Sequence, residues 1–255
     1  MPTTKDRLHF NYDGISSRKF GLIQVNLDSG MFEEALIAER AIQETEVRGQ
    51  KPLFHSIEES PLEFDLTLAF ERKFNESDLD NIILWLFPDT YKPLYFEDKP
   101  NKIYHCLPVG NSSITHNGLN QGYLTVTMRC DSPRIVSPLY YTPEVEVANE
   151  QKTSITIENK GHLTIYPEIS IKKIGAGNIT LMKDEKIFEI RDLTDQEDIY
   201  LHCEKEVIET DLIGFYRYDQ IIGDFSTLSL QRGTNKIEIE GACKIQFRYR
   251  FLYKT

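Results

Sequence analysis

The chain has 255 residues, of which 40% are hydrophobic and 27% are charged, and its formal net charge is −11. This length allows one large β domain or two smaller ones, and the composition is that of an ordinary soluble globular protein. The acidic residues are spread along the chain without a basic tail or stripe, which argues against nucleic-acid binding as its main role.

The first half of the chain contains strand-like segments, several of which alternate cleanly between apolar and polar residues. In chain order these segments are Leu8–Tyr12, Phe20–Leu27, Leu62–Phe70, Lys102–Val109 and Gly122–Cys130. Asp13 and Gly14 predict a hairpin turn after the first segment. Met31–Arg48 has no clear period, and we interpret it as an extended segment or a short helix.

The one strong helix prediction lies within residues 76–98. Its apolar residues recur at i, i+3, i+4 and i+7 and are Leu79, Ile82, Ile83 and Leu86. Ser77 is the predicted N-cap, and Pro88 ends the helix. Trp85, the only tryptophan, lies off this apolar face. We expect the helix to be buried as a plug at one end of a β-barrel or sheet.

The segment Asp131–Pro143 contains three prolines and no clear period, which predicts an interdomain linker. We therefore expect one domain over residues 1–138 and a second over residues 139–255. The second half reads as short strands separated by polar turns about ten residues apart, a pattern typical of a β-sandwich. Its last strand is expected to pack back near the N-terminal domain.

Reactive side chains do not form a recognisable catalytic, cofactor or metal site, so we predict no enzymatic activity. The cysteines are far apart, lie in or beside apolar runs and are expected to be reduced and buried; they are Cys106, Cys130, Cys203 and Cys243. His202 and Cys203 are neighbours, but strand geometry turns them to opposite faces. Gly175-Ala176-Gly177 precedes β-branched residues and is interpreted as a hairpin turn.

Two further observations bear on localisation and ligands. No apolar run approaches membrane-spanning length, and the first ten residues lack an apolar core, so we expect neither membrane insertion nor a signal peptide. Exposed aromatic residues on a β-sandwich could stack sugars, and Phe215–Tyr218 and Tyr140-Tyr141 are the candidate platforms. A core-edge or subunit-interface role is the other interpretation of these residues.

Two sets of motifs follow one another in order over almost the whole chain. The N-terminal set comprises Phe10–Gly14, Phe20–Leu22, Trp85-Leu86, Leu94–Asp98, Tyr104 and Cys130–Pro133. The C-terminal set comprises Asn159–Gly161, Tyr166–Ile169, Gly175–Thr180, Leu201–Glu204, Gly223–Phe225, Leu230–Ile237 and Phe247–Arg250. Taken together, the two sets resemble the distal tail proteins of long-tailed, siphovirus-type phages. Val207–Ile222 does not match the family pattern, and no sugar-binding motif of true galectins is present.

The resemblance implies a mostly β chain with a barrel-like N-terminal belt domain carrying one helix and a galectin-like C-terminal β-sandwich. It further implies a hexameric hub at the tail tip of the virion, assembled in the host cytoplasm, with no enzymatic activity and no cofactor. Implied partners are the tail tube protein, a tail-associated lysin or fibre protein, and the tape measure protein. The alternative is a carbohydrate-binding β-sandwich protein that recognises host cell-wall glycans.

Overall fold

A computed structural model describes residues 9–25, 37–117, 120–148 and 152–254. The chain divides into two compact units, Met1–Ser137 with Lys254–Thr255, and Pro138–Tyr253. Each unit has its own hydrophobic core. In the described part of the chain, no helix is long and apolar enough to cross a membrane.

The N-terminal unit is built from antiparallel strands and a helix. These elements are β1 (Phe10–Tyr12), β2 (Ile15–Ser16), β3 (Leu22–Gln24), β4 (Arg40–Thr45), β5 (Leu53–Glu59), β6 (Glu63–Phe70), α1 (Glu76–Leu86), β7 (Lys92–Phe96), β8 (Tyr104–His116), β9 (Gly122–Cys130) and β10 (Arg134–Val136). Seven strands form one sheet in the order β2-β1-β7-β8-β9-β6-β3, while β4 and β5 pair only with each other.

The seven-stranded sheet must curl, because its two edge strands are close in sequence. Only Ser17–Gly21 separates β2 from β3, and most of this connection is a 3₁₀ helix. An extended connection of this length reaches about 20 Å at most, whereas six strand spacings in a flat sheet cover about 29 Å. The connection therefore draws the two edges towards each other and gives the sheet a barrel-like curvature.

Helix α1 is the only α-helix among the described residues, but its cap and its buried face differ from the prediction. The N-cap is Asn75, whose Oδ1 accepts the Asp78 N–H at 2.8 Å, while Asp78 Oδ2 accepts the Asn75 N–H at 3.0 Å. The buried face consists of Ile82, Trp85 and Leu86, and Ile83 is 54% exposed. Trp85 is the larger residue to bury, so the helix is rotated towards it.

Trp85 is the centre of the N-terminal core. Its ring stacks on Phe20 at 4.4 Å and on Phe10 at 5.7 Å between centroids, and its Nε1 donates to the Tyr12 carbonyl at 2.9 Å. The indole N–H is thus satisfied while the ring is buried. The helix is therefore buried against strand β1 and Phe20, as expected, whereas its position as a plug at one end of the sheet stays a prediction.

The C-terminal unit is a sandwich of two antiparallel sheets around one core. Its strands are β11 (Tyr140–Tyr141), β12 (Val145–Val147), β13 (Thr153–Asn159), β14 (Glu168–Lys173), β15 (Gly177–Lys183), β16 (Lys186–Leu193), β17 (Asp198–His202), β18 (Val207–Thr210), β19 (Ile221–Ile222), β20 (Gly233–Glu240) and β21 (Cys243–Tyr249). Strand β22 (Leu252–Lys254) follows and belongs to neither sheet of the sandwich. One sheet has the order β11-β21-β14-β17-β18 with β12 also on β21, and the other has the order β13-β20-β15-β16-β19. Inward residues alternate with outward ones along these strands, so both sheets contribute to the core.

The mostly β architecture is confirmed, with a single α-helix in the described part of the chain, and several local predictions are refined. Arg40–Thr45 is a strand, so the extended interpretation of this region is right; residues 31–36 lie outside the described residues, as do Leu8 and residues 26–27. The region predicted as a linker contains β10 and β11. The Gly175–Gly177 turn joins strands of different sheets, so it is not a hairpin turn.

Candidate assembly surfaces

The hairpin formed by β4 and β5 is an exposed surface of the N-terminal unit that carries large apolar side chains. Every residue of these strands is exposed except Glu59, which is half-buried. The hairpin nevertheless carries large apolar side chains, and the most exposed are Ile42 (63%), Leu53 (59%), Phe54 (58%) and Ile57 (41%). A two-stranded hairpin in water is marginally stable at best, so this one gains most from contact with another surface.

The base of the hairpin is fixed to the curled sheet, whereas its distal part projects away. Ala38 and Leu62, on either side of the hairpin, are buried in the core. At the base Glu59 forms ion pairs with Arg134 and with Arg40, the latter at 3.4 Å. Val47–Gln50 closes the distal end, where Gln50 N–H donates to the Val47 carbonyl at 3.0 Å. The arm therefore has an anchored base and an apolar, solvent-facing shaft.

A second exposed surface of the N-terminal unit lies along helix α1. Leu84 is 80% exposed, and it borders an open cleft of about 470 Å³ between the helix and the 3₁₀ helix at Ser17–Phe20. The rings of Phe20 and Trp85 contribute an apolar floor, and the charged lining consists of Lys19 and Arg72 with one carboxylate, Asp78, so the cleft is positive on balance. This combination fits an apolar side chain next to a carboxylate.

In the C-terminal unit, residues 211–220 form an exposed loop between β18 and β19. Its exposed apolar residues are Ile213, Phe215, Tyr216 and Tyr218. Gly214 adopts a left-handed conformation with φ of 76° at the turn where the Phe215 N–H donates to the Leu212 carbonyl. The guanidinium of Arg217 lies 5.1 Å from the centre of the Phe215 ring, so the loop carries a cation–π contact.

The loop is held by an ion pair that is almost completely buried. Arg217 donates from Nε to Glu197 Oε1 at 2.8 Å and from Nη2 to Oε2 at 2.6 Å, and Nη1 donates to the Asp192 carbonyl at 3.1 Å. The remaining acceptor sites of Glu197 are used by Thr194 and Thr210. Burial raises the pKa of Glu197, but the Thr210 and Arg217 contacts outweigh it and hold this pKa below its ordinary value. The sandwich therefore holds the aromatic loop on a rigid support.

Comparisons with known proteins identify the family and the fold of the chain. Residues 5–132 match the family model described as the phage tail protein N-terminal domain. The chain belongs to this phage tail protein family. It is also 31% identical to the SPbeta prophage-derived uncharacterized protein YomH of Bacillus subtilis (strain 168), over 98% of this chain and 99% of that protein.

The fold of the tail protein also resembles a solved structure, that of the SPP1 Dit protein, which is described as a paradigm of the hub adsorption apparatus in phages that infect Gram-positive hosts. The TM-score is 0.69 at 15% identity, and the match covers 96% of this chain and 99% of that one. The family identifies this protein as a component of a virion tail, and the resemblance to distal tail proteins noted in the sequence is confirmed.

The reactive residues singled out in the tail protein's sequence lie apart from one another. Cys203 is buried, while His202 on the outer face is half-buried and its Nδ1 accepts the Lys205 N–H at 3.4 Å. Cys106 and Cys130 are direct partners across β8 and β9, a juxtaposition that their distance in sequence hides. Within the described residues, no three His, Cys, Asp or Glu side chains are grouped so as to hold a metal ion.

The aromatic segments named as sugar platforms are divided by the structure. Phe215, Tyr216 and Tyr218 are exposed, but Arg217 is buried beneath them. Tyr140 packs against Phe251 with centroids 5.0 Å apart, and only Tyr141 of that pair is mostly exposed. The β4–β5 hairpin was not identified from sequence. The available sequence signal is the polar Val47–Gln50 turn between two segments that contain apolar residues.

Proposed function

We propose that this tail protein forms a hexameric ring that acts as a hub at the tail tip. The ring joins the tail tube to the baseplate or to a tail-associated lysin or fibre protein, and it frames the channel for the tape measure protein and the DNA. It does so without catalysis, and it assembles in the host cytoplasm. The observation that carries this proposal is the exposed apolar hairpin β4–β5 on an anchored base.

The hairpin and the cleft beside helix α1 are complementary, which supports a head-to-tail contact between copies. The hairpin combines apolar side chains with exposed carboxylates at Glu44, Glu46 and Glu58. The cleft combines an apolar floor with two cations, Lys19 and Arg72, against one carboxylate, Asp78. A contact between two different surfaces of the same chain repeats from copy to copy, and it closes into a ring when the rotation per subunit allows.

The test is the oligomeric state of the full chain, measured by size-exclusion chromatography with light scattering and by negative-stain electron microscopy. We expect a six-fold ring that Phe54→Asp or Leu84→Asp converts to monomers, because each places a charge in the apolar contact. The matched control is Ile187→Asp, which charges an exposed isoleucine on strand β16 and leaves the ring intact. A wild-type monomer that persists at high concentration would overturn the proposal.

A further inference from the structure

The outer face of the six-stranded sheet in the C-terminal unit carries an open cleft of about 480 Å³. This volume lies in the range of small-molecule sites. The side chains that define the cleft come from β14, β17 and β21 and are Ser170, Lys172, Asp198, Tyr200, Lys244 and Gln246. Their neighbours in sequence, such as Ile171 and Ile199, point into the sandwich core, so the polar residues are fixed on the outer face by the strand alternation.

The strand register arranges these side chains in two rows. Ser170 lies opposite both Tyr200 and Gln246, and Lys172 lies opposite both Asp198 and Lys244. Directly opposed side chains on one face of a sheet are about 5 Å apart. The first row therefore presents a hydroxyl, an amide and an aromatic ring, and the second presents two ammonium groups and a carboxylate.

Tyr200 is the aromatic centre of this cleft and is held in place. Its hydroxyl donates to Glu168 Oε2 at 2.5 Å, and Arg248 Nε lies 3.0 Å from the same oxygen. Burial and the Glu168 carboxylate raise the pKa of Tyr200 to about 12, so the hydroxyl stays protonated near neutral pH. The ring is half-buried and belongs to a rigid strand, which suits a stacking surface.

The charges in the cleft select against an anionic ligand. Asp198, Glu209 and Asp211 line it together with the two lysines, so a phosphate or a nucleic acid would face several carboxylates. The ion pairs are long, with Lys172 and Asp198 3.8 Å apart and Lys244 and Glu146 3.8 Å apart. Long, exposed pairs contribute little to stability, so these groups are available to exchange their contacts for hydroxyl groups.

We propose that this cleft binds a neutral saccharide, one face of whose ring stacks on Tyr200 while its hydroxyl groups bond to Ser170, Gln246 and the charged row. The cleft presents both donors and acceptors, which matches a ligand whose hydroxyl groups both donate and accept. The side chains of an apolar peptide lack such groups. The cleft borders the aromatic loop at Asp211, but none of the exposed aromatic side chains of that loop lines it, and sugar binding does not depend on ring assembly.

The experiment is saturation-transfer NMR and titration calorimetry on the full chain. The probes are glucose, galactose, N-acetylglucosamine, N-acetylgalactosamine and their disaccharides, with penta-alanine as the peptide. We expect at least one sugar to bind, Tyr200→Ala to weaken it by about tenfold or more, and Tyr200→Phe to retain most of the affinity because the ring remains. Circular dichroism of each variant shows that the sandwich is intact.

The matched control is Tyr216→Ala, which removes an exposed tyrosine from the aromatic loop and leaves the sugar affinity unchanged. Three results would each overturn the proposal. They are the absence of binding by every sugar, binding of penta-alanine alone, and a loss of sugar binding in Tyr216→Ala but not in Tyr200→Ala.

Discussion

The buried pair between Arg217 and Glu197 allows a quantitative prediction. Substituting Arg217 by Met keeps a long apolar side chain but leaves the Glu197 carboxylate 1% exposed without its guanidinium partner. Thr194 and Thr210 still donate to that carboxylate, so part of its solvation is replaced. Breaking one side of a buried pair costs about 3–5 kcal/mol. For a unit of this size that corresponds to a fall in Tm of about 10–20 °C.

The assay is urea and thermal unfolding of the full chain, followed by far-UV circular dichroism. The double variant Glu197→Leu with Arg217→Met removes both charges and is expected to recover most of the loss, since no charge is left buried. Lys236→Met is the matched control, because Lys236 pairs with Glu238 at 2.7 Å in an exposed position, and no measurable change is expected. A loss below about 1 kcal/mol for Arg217→Met would refute the reasoning.

The same pair predicts a direction of pH dependence. The pKa of Glu197 is lowered in the folded protein, so the folded state favours the ionised carboxylate. The stabilisation is therefore complete above the ordinary pKa of 4.5 and is lost as the pH falls through the folded pKa. Wild type is expected to lose stability on acidification more steeply than the double variant, and parallel curves would contradict this.

Three more outcomes are expected. Trp85→Ala should cost about 3–5 kcal/mol in urea unfolding, because it empties the centre of the N-terminal core. An unchanged urea midpoint together with loss of the hexameric assembly would instead make Trp85 an interface residue. Gly223→Ala should lower the midpoint, since φ is 97° and an added Cβ would lie 2.1 Å from the Ile187 carbonyl oxygen; a midpoint equal to wild type would exclude that strain. The four cysteines should react with a thiol reagent at pH 8 only after unfolding, because all are buried and burial raises the pKa of Cys203 to about 12; rapid reaction of the native protein would refute their inaccessibility.

Strand alternation predicts the described strands well where one face is buried. Leu66 and Leu68 of β6 and Val126 of β9 are buried where the alternation places them. Helix α1 is predicted from periodicity as well, because one of its faces is buried. Counting apolar residues at helical spacing, however, favours Ile83 over Trp85 as a buried residue. Periodicity ignores side-chain size, whereas the aromatic stack around Trp85 decides which face of the helix is buried.

The assembly surfaces are harder to predict, because sequence periodicity identifies apolar residues that are buried, whereas the apolar residues of these surfaces are exposed. Both faces of the β4–β5 hairpin are solvent-exposed, so Ile42 and Ile57 carry no burial pattern. The aromatic loop is visible in the sequence as a cluster of aromatic residues, but the buried ion pair that holds it is not. Glu197 and Arg217 are twenty residues apart, and nothing in their separate surroundings indicates that they pair.

The short edges of the seven-stranded sheet have a consequence for solubility. Its terminal strands, β2 and β3, are only two and three residues long, and the sheet's curvature turns them towards each other. Long, flat edges recruit strands from other molecules and lead to fibrous aggregates. The truncated edges of this sheet offer few unpaired backbone groups to another copy, so they protect the protein from open-ended polymerisation through strand pairing.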